Sequence, residues 1–192
     1  MMLRNGAMTF ALLVARTRRP IRRFLRDKRG ISAVEFAMLL PLMITLYLGG
    51  VEVSQAVAVD RKVTLISRSL GDLVAQATTV TNAEMTNILA ATAAIIVPYV
   101  DAKLKITVSS VVIDAQGVAK IAWSDTKNGT ARAVGSTVTL PAALNTASSS
   151  LIWAESQYAY TPVIGYVITG TMNLKDQIFM RPRLSDTVAR TP

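Results

Sequence analysis

Cysteine and histidine are both absent from the 192 residues. Their absence removes disulfides, thiol nucleophiles, imidazole bases and the commonest zinc ligands together. Also missing are a nucleophile elbow, a glycine-rich phosphate loop and a pair of carboxylates within one short motif. Serine, lysine and acidic residues remain as possible catalytic groups, but no pattern recruits them, so the chain reads as a non-enzyme with no cofactor and no metal site. A basic face is lacking as well, although the formal net charge is +9. Arg4, Arg16, Arg18, Arg19, Arg22, Arg23, Arg26, Lys28 and Arg29, against the single acid Asp27, hold +8 of that charge within residues 1–30. The other 162 residues carry twelve basic and eleven acidic side chains. A nearly neutral remainder offers nothing to a phosphate backbone, which argues against nucleic acid as a partner.

What is present is one long apolar run. Residues 6–15 form a short apolar stretch behind Arg4, but a basic block follows it where a secretory signal would have a small-residue cleavage site. Residues 16–29 are too dense in like charge to pack and read as a solvated tail on anionic lipid. Residues 31–59 then hold only two charges, Glu35 and Glu52, and residues 36–51 hold none. About 20 apolar residues span a bilayer, so residues 31–58 read as a transmembrane helix. The arginine block fixes its direction by the positive-inside rule, with residues 1–30 cytoplasmic and the chain beyond about residue 55 on the far side.

Glu35 and Glu52 lie about 25 Å apart along a helix, near the roughly 30 Å of hydrocarbon, and fit the two interfaces. Glu35 has two competing readings: a capping box with Ser32, or a functional carboxylate inside the membrane that needs a partner. Pro41, Gly49 and Gly50 mark places where the helix can bend or locally melt. Past the membrane, Val59, Val63, Ile66, Leu70, Leu73 and Ala77 draw one apolar stripe, with Arg61, Lys62, Arg68 and Asp72 off it. This predicts one helix through residue 77, with Gly71 as a possible early end, covering a head made of residues 59–192.

Thr81-Asn82-Ala83-Glu84 is a second capping-box pattern before Met85, Ile88, Leu89, Thr92 and Ile95, so a short helix closed by Pro98 is expected. The period then becomes two. Strands are expected over residues 104–113, 118–124, 136–140, 151–161 and 176–180, with turns at Asp114 to Gly117 and at Asn128-Gly129. Residues 163–168 stay open between strand, short helix and a surface resting on membrane or partner. Trp153, Tyr158, Tyr160 and Tyr166 are expected in the core. The predicted class is α+β: a transmembrane helix continuing into a head with a second helix and a mostly antiparallel sheet of four or five strands.

The run from Gly30 through Glu35 and Phe36 to Pro41, with Gly49, Glu52 and Asp60-Arg61 after it, resembles the TadE/TadG-like minor pseudopilins of Tad (Flp, type IVb-like) pilus systems. Weaker likeness lies in Asp72 to Gln76, Tyr158 to Pro162 and Met180 to Arg183. The resemblance implies a pilin-like head and cleavage between Gly30 and Ile31 by a prepilin peptidase, which would remove residues 1–30. It also implies that Glu35 neutralises the new amino terminus of a neighbouring subunit. Phe36 stands where major Flp pilins usually carry tyrosine, which favours an accessory subunit. The implied partners are the prepilin peptidase, other Tad pilins, the inner-membrane assembly platform and bacterial inner-membrane lipid, with the head periplasmic and incorporation in a pilus left open. The alternative is an uncleaved single-pass protein whose outer domain binds a ligand or surface.

Overall fold

The computed structural model describes residues 29–192, so the readings made on residues 6–15 and on the basic block up to residue 28 lie outside the described residues. Two units are resolved by contact, Met1–Tyr47 and Leu48–Pro192. Helix α1, Arg29–Ala75, contributes to both. It is already helical at Arg29, so Ser32 sits inside the first turns and does not cap the helix. Gly71 does not end it either. A Cβ there would lie 3.3 Å from Ile178 Cγ2 and from Met180 Sδ, so the glycine lets the sheet approach the helix backbone.

Within the unit Leu48–Pro192, α1 lays one face on a sheet. Val59, Val63, Ile66, Leu70 and Val74 are fully buried, while Leu73 is exposed. The stripe therefore closes through Val74, four residues after Leu70, and keeps the helical period. Arg61 and Arg68 are exposed, as expected of residues off the stripe. A polar seam crosses the interface. The Ser67 and Ser156 hydroxyls lie 2.6 Å apart, with the Val63 carbonyl 2.8 Å from Ser156 Oγ and the Asp176 carbonyl 3.1 Å from Ser67 Oγ, so two protons serve three polar contacts. Buried hydroxyls of this kind need partners, and these find them across the helix–sheet contact.

After α1 come β1, Thr79–Val80, and α2, Asn82–Ala93. The expected capping box is formed: Thr81 Oγ1 accepts from the Glu84 N–H, and the Glu84 carboxylate accepts from the Thr81 N–H at 2.8 Å. That N–H donor holds the Glu84 carboxyl below its ordinary pKa. Met85, Leu89 and Thr92 carry the buried face of α2. A 3₁₀ turn, Ala94–Ile96, follows before Pro98.

The main sheet holds β2 (Leu104–Ile113), β3 (Ala119–Lys127), β4 (Thr137–Val138), β5 (Ser149–Tyr160) and β6 (Met172–Met180), all antiparallel, in the order β4-β3-β2-β5-β6. The α+β class is thus observed. Turn chemistry explains the β2–β3 hairpin: the Asp114 carboxylate accepts from the Gln116 and Val118 N–H groups, and Gly117 takes φ 79°. The Val118 N–H first of all, and Lys120 in addition, depress the Asp114 pKa. Strand β4 is shorter than the five residues the pattern suggested, and β6 is longer.

Alternation along β2 splits the sheet faces. Leu104, Ile106 and Val108 face the main core with α1, whereas Val111 and Ile113 join Ile121 and Leu151 in a smaller core on the other face under Leu140 and Leu144. Tyr158 and Tyr160 are buried in the main core, as expected. Trp153 is only partly buried, with the Arg132 guanidinium 3.7 Å from its ring centroid and Phe179 stacked beside it. Tyr166 is exposed, against expectation. A last strand, β7 (Ala189–Arg190), pairs in parallel with β1 and had no signal in the sequence pattern. Arg190 fastens it by an ion pair to Asp125 at 2.9 Å and by hydrogen bonds to Asn82 and the Val80 carbonyl.

Candidate functional site

Two features of α1 carry the candidate chemistry, and each rests on residues singled out in the sequence. The first is the stretch around Gly30, Ile31, Glu35 and Phe36. All four are exposed on the helix surface. So are Val34, Met38, Leu39, Leu42, Met43, Leu46 and Tyr47, which surround the helix instead of drawing one stripe. A helix apolar on every side has no water-facing surface, and this is the pattern of a membrane span. Among the described residues, α1 is the one helix long and apolar enough to cross a membrane. It fits a single-pass anchor. Pro41 lies within the helix without ending it, and the Thr45 hydroxyl donates to the Pro41 carbonyl at 2.8 Å. Gly30 and Ile31 are in helical conformation, and a Cβ on Gly30 would meet nothing within 4 Å.

The second feature is Glu52, which the sequence suggested at a membrane interface. In the unit Leu48–Pro192 it is 1% exposed. Its carboxylate accepts three successive backbone N–H groups, from Tyr166 at 2.6 Å, Val167 at 3.0 Å and Ile168 at 2.7 Å. An ionised carboxylate is acceptor-only, and three donors converging on two oxygens match it. Gly165, at φ 64°, makes the turn that aims these N–H groups inward. Gly49 completes the seat. A Cβ there would lie 3.2 Å from Val167 Cγ2, so the bare helix surface admits the Val167 side chain. Gly50 faces open space and has no such role. Residues 163–168 are therefore neither strand nor helix but an irregular loop clamped to α1. Nearby Tyr160 is 3% exposed, and burial raises its pKa.

The structure thus brings Gly49 and Glu52 together around one loop. Sequence reasoning missed the donors, because backbone N–H groups leave no signature in residue identity. The uncharged run of residues 161–174 was the only available hint.

A groove of about 450 Å³ opens on the sheet face away from α1, lined among others by Lys105, Glu155, Lys175 and Asp176. Ser156 borders it, but its hydroxyl is engaged with Ser67 and Val63 and is 3% exposed, and Glu155 is ion-paired with Arg132. No activated nucleophile is presented there among the described residues.

Residues 30–68 match a family model described as TadE-like protein. The TadE-like segment begins at Gly30 and runs through the all-round apolar part of α1 into its packed part. It contains Glu35, Phe36, Pro41, Gly49 and Glu52. No curated protein and no solved structure matches the chain. The match falls on the residues that carry the resemblance read from the sequence, which is thereby found independently over residues 30–68.

Proposed function

We propose that this protein is a minor pilin-like component of a Tad pilus, processed after Gly30 and held in the inner membrane by the first part of α1. The observation that carries this reading is the coincidence of two boundaries: the TadE-like match starts at residue 30, where the basic leader gives way to the all-round apolar helix. The leader then stays cytoplasmic, by the positive-inside rule, and the sheet domain is periplasmic. Cleavage frees an α-amino group on Ile31. Glu35, exposed about one helical turn farther on, is the carboxylate that meets the amino terminus of a neighbouring subunit. A charge inside a bilayer is costly unless paired, and subunit assembly supplies the pair. The role is structural, in assembling or priming the filament, with the prepilin peptidase and other Tad pilins as partners.

One observation favours the alternative of an uncleaved anchor. Residues 29–31 are helical, whereas a peptidase takes an extended backbone, so cleavage requires the first turn of α1 to open. Amino-terminal sequencing of the protein from its native membrane separates the two. A chain beginning at Ile31 is expected, and an intact bond between Gly30 and Ile31 in cells with active prepilin peptidase contradicts processing.

A further inference from the structure

The loop between β5 and β6 combines two properties that rarely go together. Its backbone is locked, through three N–H groups on the buried Glu52 carboxylate and through Val167 seated over Gly49. Its other large side chains are turned outward: Val163 is 90% exposed, and Ile164 and Tyr166 are exposed as well. No charged residue occurs from residue 161 to residue 174. A loop that served only to connect two strands would be polar, and a contiguous exposed apolar patch marks a surface that meets something apolar.

The clamp says what that is. Gly49 lies in, and Glu52 directly follows, the uncharged run of residues 36–51. Counted from Ile31, with Glu35 inside the bilayer, the helix to Val51 reaches about 31 Å, close to a hydrocarbon core of about 30 Å, which puts residues 49–52 at its far edge. Apolar surface held at the level of residues 49–52 extends the lipid-compatible part of the protein where the run ends. Tyr166, with one apolar and one polar end, suits the headgroup region. We propose that residues 163–167 form a foot that rests in the lipid interface of the bilayer spanned by α1, with Glu52 as the residue that positions it. This rests on the membrane-anchor reading above.

The cysteine-free chain makes the test direct. Single cysteines are placed at Val163 in the loop, Met43 in the apolar helix and Thr130 on the sheet domain, and labelled with an environment-sensitive fluorophore. Each full-length chain is reconstituted into phosphatidylethanolamine–phosphatidylglycerol vesicles doped with nitroxide lipids, one labelled in the headgroup region to read Val163 and Thr130 and one labelled deep in the acyl chain to read Met43. Val163→Cys is expected to be quenched several-fold more strongly than Thr130→Cys, with Met43→Cys also quenched. Adding Glu52→Leu to Val163→Cys should reduce that quenching toward the Thr130 level. Quenching at Met43 without quenching at Val163 overturns the foot and leaves the anchor standing. A Val163 label shielded from aqueous iodide but untouched by the nitroxide reports a protein neighbour, such as a second copy, and overturns the lipid assignment. Absence of quenching at Met43 removes the anchor itself, and the foot with it.

Discussion

One helix, α1, solves two different problems along its length. In residues 30–47 the large apolar side chains are exposed on all sides, with Met38 76% and Tyr47 72% accessible. From Ala56 to Ala75 the buried apolar residues fall on one stripe, and the charged residues lie off it together with the exposed Val57, Leu65 and Leu73. The same backbone hydrogen bonding serves both, so what differs is the solvent each part is written for. The first part suits lipid, since no face of it is suited to water, and the second packs on the sheet. The two glutamates divide in the same way. Glu52 has found its partners inside the fold, whereas Glu35 is exposed and, in the proposed function, finds its partner on another subunit.

The comparison breaks most visibly in the stability of the sheet domain. Ile66→Ala empties a fully buried site and should lower the unfolding free energy in detergent by about 2–5 kcal/mol. Leu39→Ala, on the all-round apolar part, should change the same transition by less than about 0.5 kcal/mol. Equal effects would mean that residues 30–47 pack in a core of their own. Glu52→Leu comes next, because it strands the N–H groups of Tyr166, Val167 and Ile168. Amide exchange at those positions should accelerate roughly tenfold or more, with Glu52→Gln retaining part of the protection. Exchange unchanged in Glu52→Leu would mean that the loop holds itself. Thr81→Ala removes one half of the α2 capping box and should cost about 1 kcal/mol, read from the shift in denaturation midpoint.

The smallest effect expected is on pH dependence. Glu84 and Asp114 both have folded-state pKa values below the ordinary carboxylate range, through N–H donors from Thr81 and Val118 respectively. Their stabilisation is present above the unfolded-state pKa and is lost as pH falls through the lower folded value. Glu84→Gln should therefore flatten the acid limb of the stability curve while changing its shape little above neutral pH.

Much of this was legible in residue order, where short-range chemistry sets the outcome. Thr81 and Glu84 are three residues apart and form their capping box as written. Asp114 and Gly117 close the β2–β3 hairpin within one turn, and the period of two along residues 104–108 gave the inner face of β2. What was not legible depends on pairs distant in sequence. Glu52 and the N–H of Tyr166 are separated by 114 positions, and the bond is to backbone, which any residue but proline provides. Arg190 and Asp125 are 65 apart, so neither β7 nor its fastening could be inferred from neighbours. Tyr166 was placed in the core on residue type alone, yet the loop that carries it is held by its backbone and leaves the ring outside. Gly71 looked like a stop signal until the sheet against it supplied the reason for a missing side chain.

The central claim, that α1 passes from lipid to a protein core along its own length, is tested most directly by cysteine alkylation along the helix in intact membranes. Single cysteines at Met38, Leu42, Leu46, Arg61 and Leu65 are exposed to a water-soluble maleimide. The account predicts that the first three stay unreactive until detergent is added, while Arg61→Cys and Leu65→Cys react without it. Reaction at Met38, Leu42 and Leu46 as fast as at Leu65 would contradict it.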